Sequence, residues 1–403
     1  MPHAFKTAFF RALMAFLKLA TWVLNFRKPE LFSGPGSSLQ LCDHIAAQGV
    51  KNLLLVTDAM LVKIGLVEPL RQRLVERGVG VTVYDGVQPD PTIQQIETGL
   101  DLLKKSGSTA ILAIGGGSSI DAAKVIATRA RNGYPIAWMA GLMRVLRRPL
   151  PLYAVPTTAG TGSEVTIAAV VSDPASTRKF AIMDPKLVPV AAALDGALMT
   201  GLPPAITAAT GMDALTHAVE AYISRNAMAR TDAEALEATR LIMENLPKVM
   251  KNGQDLEARQ AMALASFKAG VAFTSAGVGY VHAISHNLGA YYHVPHGLAN
   301  AIVLPQVLDY SLPACTERLA TLATVSGLAR GGETPRQLAE RFVAHVRSLN
   351  AEFGIPATVQ KLREADIPAI IRAALSEAHW TYAVPRYLDR DSCEALVRRL
   401  LPA

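Results

Sequence analysis

Residues 110–124 read AILAIGGGSSIDAAK, and the order of residue types in this stretch decides the fold. It starts as a buried strand, passes through three glycines and two serines, and ends as a helix. Gly115, Gly116 and Gly117 let backbone approach a bulky anion, and Ser118 or Ser119 can cap the helix and donate to that anion. A helix N-terminus adds free N–H groups and a positive dipole suited to a pyrophosphate. The spacing is neither GxGxxG nor GxxxxGK[ST], so on this stretch alone a nucleotide site and a ligand-free turn both stand.

The flanking sequence repeats the alternation. Strand-like runs at 51–57, 81–84, 110–114 and 152–155 are separated by helical patterns at 68–77, 92–106 and 119–131, which predicts a mostly parallel α/β sheet. A second glycine-hydroxyl turn, PTTAGTGSEVT at 156–166, follows a strand and offers Thr157, Thr158, Thr161 and Ser163 as donors. Such a run can also satisfy only its own backbone. Two of them at strand ends in one domain lie where such folds bind ligands. Asp58 ends the run LLLVT. An acid there can accept from an adenosine ribose and repel a 2′-phosphate, which favours NAD over NADP. Asp58 precedes the glycine turn by 57 residues, however, and from spacing alone it reads as a helix N-cap.

From about residue 202 the pattern turns helical, at 205–224, 229–252, 256–274, 316–328, 335–353, 359–362, 367–376 and 390–400. The expected division is a basic amphipathic helix at 1–30, an α/β domain at 31–202 and an all-α domain at 203–403. The helical part holds a histidine cluster, VHAISHNLGAYYHVPHG at 281–297, and a partner stretch, GMDALTHAVEAY at 211–222. Asp213 and His217 are four residues apart and share a helix face, as do His282 and His286. Two such pairs, with a further histidine, His296, in a Pro-His-Gly loop, can surround a divalent metal. Imidazoles with one carboxylate suit zinc or iron(II) better than calcium or magnesium. Spacing does not separate His282 from His286 as a ligand.

Half of the residues are hydrophobic, as in a well-packed globular protein, and 403 residues suggest two domains. Three scattered cysteines argue against a disulfide framework and fit a reducing cytoplasm. Of the formal charge of +7, residues 1–30 hold +4, through Lys6, Arg11, Lys18, Arg27 and Lys28 against Glu30. The basic excess is therefore terminal, and no nucleic-acid partner is expected. Within residues 1–28, Thr7, Arg11, Lys18 and Asn25 form a polar stripe opposite Phe5, Phe9, Leu13, Phe16, Ala20 and Val23. That pattern suits a helix in a membrane interface, at the inner face of a membrane, or one docked on protein. Arg11 and Lys18 interrupt any membrane-spanning run, and no secretory cleavage site follows.

Four segments together resemble the iron-containing (group III) alcohol dehydrogenase family: GGGSSIDAAK (115–124), PTTAGTGSEVT (156–166), GMDALTHAVEAYIS (211–224) and HAISHNLGAYYHVPHGLANAIVLP (282–305). The resemblance implies an N-terminal Rossmann-like α/β domain that binds NAD and a C-terminal all-α metal domain. It implies Asp213, His217, His282 and His296 as ligands of Fe2+, with Zn2+ as the alternative. His286 becomes a catalytic or pocket residue near the nicotinamide. Asp58, Gly115, Gly116, Gly117, Ser118, Asp121, Thr157, Thr158 and Thr161 become cofactor contacts. A homodimer or larger homo-oligomer is implied as well. Three features depart from the family pattern: Asp90 stands where relatives often carry Asn, AGLMRVLRRPL (140–150) is unusually basic and apolar, and the helix of residues 1–28 lies outside the family core.

The expected reaction is hydride transfer between a primary or secondary alcohol and NAD, with aldehyde reduction as its reverse, and long-chain or hydrophobic alcohols as the expected substrates. Two alternatives stand beside it. One is hydroxyacid–oxoacid transhydrogenation on the same fold, and the other a membrane-associated or filament-forming interaction protein with a vestigial site.

Overall fold

The structure is a computed structural model that describes residue 7, residues 9–12, residue 14, residues 27–174 and residues 178–402. Nine strands are present among these residues: β1 (Glu30–Ser33), β2 (Asn52–Val56), β3 (Gly80–Tyr84), β4 (Ala110–Gly115), β5 (Gly141–Leu142), β6 (Leu152–Pro156), β7 (Ala168–Asp173), β8 (Arg178–Met183) and β9 (Ala191–Leu194). Helices α1 (Ser37–Ala47), α2 (Ala59–Lys63), α3 (Glu68–Glu76), α4 (Ile93–Lys105) and α5 (Gly117–Arg131) alternate with them. Six strands form one parallel sheet in the order β1-β9-β6-β4-β2-β3, and a small sheet runs β5-β8-β7. Helices cover both faces, so the strands can be apolar throughout. Leu53 and Leu55 of β2 pack in one core cluster with Leu41, Leu70 and Leu74, while Leu54 and Val56 pack in another with Ile96, Ile120 and Ile126.

Register accounts for the order that the sequence left unresolved. Val56 lies opposite Ala113, so Asp58 falls level with Gly115 on the next strand. Gly115 in turn lies opposite Pro156, which starts the second glycine turn. The 57-residue separation therefore becomes one strand spacing.

The second half is all helix, as expected: α6 (Pro204–Ile223), α7 (Ala229–Lys251), α8 (Leu256–Ala276), α9 (Tyr280–Tyr292), α10 (His296–Val325), α11 (Pro335–Glu352), α12 (Ile367–Thr381) and α13 (Arg390–Arg398). The chain forms two compact units, Phe26–Gly201 with Gln254–Phe267, and Leu202–Gly253 with Lys268–Ala403 and the described residues of the first 25. Residues 254–267 thus group with the α/β body, where Gln260 bonds Ser33, Leu194 and Gly196.

Several elements differ from expectation. Strands β1 and β9 went unread because four residues are few and AAAL has the composition of a helix. The helix expected at 316–328 is the far part of α10, which bends at Cys315 (φ −144°) just after Pro313. Residues 359–362 are turn rather than helix. Of residues 1–28, the described residues 7, 9–12 and 14 are helical and the remainder up to 26 lie outside the described residues. Their buried side chains are Phe10 and Met14, with Phe9 52% exposed, so the packed face is one position away from the expected one. Phe10 meets His379, Trp380 and Tyr387 at centroid distances of 5.1–6.1 Å, which is the protein-docking alternative for this part of the helix. Among the described residues no single helix is long and apolar enough to cross a membrane.

Asp195, after β9, closes the α/β body. Its Oδ2 accepts from Ser38 Oγ at 2.7 Å and Gly36 N at 3.1 Å, and its Oδ1 from Ala197 N at 3.2 Å. Asp195→Ala would leave buried donors unpaired, and a loss of about 3 kcal/mol is expected in chemical denaturation.

Candidate metal centre and cofactor turns

The first glycine turn is shaped by close contacts. Gly115 has φ +153°, and a Cβ on it would fall 2.5 Å from Ser119 Oγ. A Cβ on Gly117 would fall 2.7 Å from Thr161 Cγ2, and one on Gly116 3.4 Å from Thr158 Oγ1. The two turns therefore pack on each other, and Thr157 N donates to Gly115 O at 3.0 Å. Gly116 caps α5, so the free amides of that helix open between the turns. Ser118 Oγ accepts from Asp90 N at 3.3 Å, while the Asp90 carboxylate pairs with Lys179.

Asp58 is the N-cap of α2, its Oδ1 accepting from Met60 N and Leu61 N at 2.9 and 3.0 Å. The spacing-based reading of Asp58 is thus observed, and a ribose contact has to use its other oxygen. Asp121 supports the second turn, with Oδ1 accepting from Ser163 Oγ and Oδ2 from Val170 N at 2.9 Å. Lys124, one helical turn on, is buried and donates to Thr166 O (2.9 Å), Thr166 Oγ1 (3.1 Å) and Ala168 O (2.7 Å). Burial brings its pKa down to about 8 against the opposing pull of Asp121 and Glu164. Lys124 and its role were invisible in the sequence because its partners lie more than 40 residues away.

In the helical unit, Asp213 and His217 on α6, His282 on α9 and His296 at the start of α10 converge. One ligand atom from each lies within 4.8 Å of the others. Asp213, His217 and His282 are buried and His296 is exposed. His217 stacks between Phe273 (4.3 Å) and His282 (4.6 Å). The close approach of α10 depends on Gly297, where a Cβ would fall 2.4 Å from Ala209 O and 3.2 Å from Asp213 Cβ.

The donor set fits a cation. Asn300 Nδ2 lies 2.7 Å from Asp213 Oδ1 and 3.1 Å from both His282 Nε2 and His296 Nε2, three acceptors around two hydrogens. Lone pairs converging on so few protons suit a metal ion. Glu220, which sequence reasoning did not single out, orients one of them. Its Oε2 takes the Nδ1–H of His282 at 2.7 Å and leaves Nε2 to face the centre. Backbone N–H groups of Gly279 and Val281 donate to the same carboxylate at 2.8 Å. Burial brings the Glu220 pKa up to about 7, and burial beside other imidazoles holds His282 well below its usual value, in the neutral form a metal needs.

His286 is not one of the four converging side chains. Its Nδ1 is 2.8 Å from Glu377 Oε1, which also accepts from Tyr382 Oη at 2.6 Å. Burial alone would raise Glu377, yet the bonds from His286 and Tyr382 leave its pKa lowered. The His286 ring stacks on His296 at 5.4 Å. His293 is the left-handed cap of α9 (φ +55°).

Comparison with known proteins matches both halves of the chain. A sequence model described as "Iron-containing alcohol dehydrogenase" matches residues 29–196, and one described as "Fe-containing alcohol dehydrogenase family, C-terminal" matches residues 207–401. An NAD-dependent methanol dehydrogenase of Bacillus methanolicus is 39% identical over 378 residues, covering 93% of this chain and 99% of the relative. The lactaldehyde reductase of Escherichia coli K12 is 39% identical over 348 residues, covering 85% and 91%. A crystal structure of a 1,3-propanediol oxidoreductase superposes with a TM-score of 0.90 at 38% identity, covering 93% of this chain and 99% of that one.

Two substitutions probe the centre. Glu220→Gln would turn an amide N–H toward His282 and favour the wrong tautomer. Titration of the apo-protein with Zn2+ should then show metal affinity lowered by 10–100-fold. Gly297→Ala must push α10 from the backbone of α6; a stability loss of about 2–3 kcal/mol is expected in denaturant unfolding. Wild-type affinity or stability in the respective variant would contradict these assignments.

Proposed function

Because this chain belongs to the iron-containing alcohol dehydrogenase family, we propose that it transfers hydride reversibly between an alcohol and NAD, with Asp213, His217, His282 and His296 holding the metal. The convergence of these four side chains carries the reading. Residues 31–202 are the NAD-binding domain and residues 203–403 the metal-binding domain. When bound, a divalent metal supplies Lewis acidity that acidifies the substrate hydroxyl, and NAD supplies the hydride acceptor. Iron(II) suits four protein ligands and a further substrate position better than zinc, which four ligands would close.

The chain's own residues do the rest. Gly115, Gly116, Gly117 and Ser118 offer amides and a hydroxyl to the pyrophosphate at the start of α5. Thr157, Thr158 and Thr161 line the adjoining turn, which Asp121 holds through Ser163. Asp58 accepts from the adenosine ribose. Glu220 fixes the tautomer of His282. His286, held by Glu377, which in turn accepts from Tyr382, takes the hydroxyl proton as the alcohol is oxidised.

Small primary alcohols and their aldehydes are the first substrate class to test, following the substrates for which the relatives are named. The long-chain reading rested on membrane contact by residues 1–28, and Phe10 and Met14 of that segment are buried against protein. Buried thiols at Cys42, Cys315 and Cys393 suit a reducing cytoplasm, and the expected assembly is a homodimer or larger homo-oligomer. The assembled donor set argues against a vestigial site, and no observation favours transhydrogenation.

The deciding experiment is metal analysis with an NAD-linked activity screen across alcohol and aldehyde chain lengths; metal-loaded protein inactive on the whole panel would sink the proposal. His282→Ala should lose bound metal and activity together, and retention of both would remove it from the ligand set. Asp58→Gly should raise use of NADP relative to NAD at least several-fold, and an unchanged ratio would refute the ribose contact.

A further inference from the structure

The segment before β6 is not used by the proposed reaction. A short 3-10 turn (Ile136–Met139) and β5 lead into residues 143–150, and this stretch exposes Trp138 (69%), Leu142 (56%), Met143 (51%) and Leu146 (76%). Arg144, Arg147 and Arg148 are exposed among them. No Asp or Glu occurs between Asp121 and Glu164, so nothing local in sequence offsets these charges. The segment enters β6 at its N-terminal end, whereas both glycine turns sit at C-terminal strand ends. Cofactor phosphates therefore do not account for the arginines.

Such exposed apolar side chains normally belong to mobile loops, yet this backbone is tied down at nearly every residue. Met143 N donates to Met183 O at 2.8 Å. Tyr134 Oη donates to Arg144 O at 2.6 Å and accepts from Leu146 N at 3.2 Å. Val145 is buried, its N–H donating to Asp184 at 3.3 Å and its carbonyl accepting from Lys186 Nζ at 3.1 Å. Asn132 brackets Arg147, accepting from its N–H at 2.8 Å and donating to its carbonyl at 3.0 Å. Folding has thus already ordered the backbone that presents Trp138, Leu142, Met143 and Leu146, which lowers the entropy lost when they are covered.

We propose that residues 138–148 form a preorganised docking face for an anionic lipid surface. Charge complementarity selects this occupant. Arg144, Arg147 and Arg148 are exposed with no acidic residue near them in sequence, and apolar side chains interleaved with such uncompensated positive charge suit the edge of an anionic bilayer. There, aliphatic and indole groups enter below the headgroups and guanidinium groups meet phosphate. The face is independent of the hydride-transfer site.

The test uses the full-length protein with phosphatidylcholine vesicles, with and without phosphatidylglycerol. Wild-type protein should co-sediment with the anionic vesicles only, and added salt should release it. The triple variant Arg144→Gln/Arg147→Gln/Arg148→Gln should bind about 100-fold more weakly, and Leu146→Ser should also weaken binding, both with unchanged melting and NAD-linked activity. Absence of wild-type binding, or equal binding by the triple variant, would overturn the proposal. If the substitutions instead lower the sedimentation coefficient without lipid, the face is a contact between copies and the lipid assignment is wrong.

Discussion

The carboxylate of Glu220 is the interaction on which the candidate metal centre depends. Removing a carboxylate from water costs several kcal/mol, and it is tolerated only when donors surround it. Here those donors are Gly279 N, Val281 N and His282 Nδ1, all from the turn that starts α9. The same bonds that satisfy the charge therefore tie α9 to α6 and aim Nε2 of His282 at the centre. Gly279 accommodates the approach, since a Cβ there would lie 2.7 Å from Glu220 Oε1. Structure and ligand orientation are one arrangement, in which neither half survives without the other.

A comparable economy governs the α/β body. Parallel pairing in register brings Asp58, the Gly115–Gly117 turn and the Pro156 turn to the same end of three neighbouring strands. Asp121 and Lys124, on the helix that one turn begins, then hold the other turn and the start of β7 by five hydrogen bonds. A buried lysine with a depressed pKa is easily taken for a catalytic group. Its donors are all spent on Thr166 and Ala168, and its work is positional.

What the sequence disclosed follows the range of the interactions involved. Strands β2, β4 and β6 were legible because burial on both faces demands apolar runs, and α4 through its helical pattern at 92–106. The i, i+4 pairs were legible because helical geometry alone sets them. Glu220, Asn300, Glu377 and Lys124 were not, since each meets its functional partner only after folding. Spacing left His282 and His286 equivalent. They part in the structure because Glu220 faces one ring and Glu377 the other. At residues 9–14 the expected phase fails because Phe9 and Phe10 lie side by side in sequence, and the side that packs is chosen by His379, Trp380 and Tyr387, which meet Phe10.

The metal centre is finally a matter of helix spacing. Ligand atoms must meet within a few tenths of an ångström of bonding distance, yet they come from three helices whose separation is set by unrelated contacts. Small residues do the setting. Gly211 lets α6 lie against Leu246 of α7, where a Cβ would fall 2.5 Å from Leu246 Cδ1, and Gly297 lets α10 reach the backbone of α6. A methyl group at Gly211 meets only the end of the Leu246 side chain, which can turn aside, whereas one at Gly297 meets the backbone of Ala209 and has to move a helix. Gly297 therefore shapes the site as the candidate ligands do, although it donates no electron pair to it.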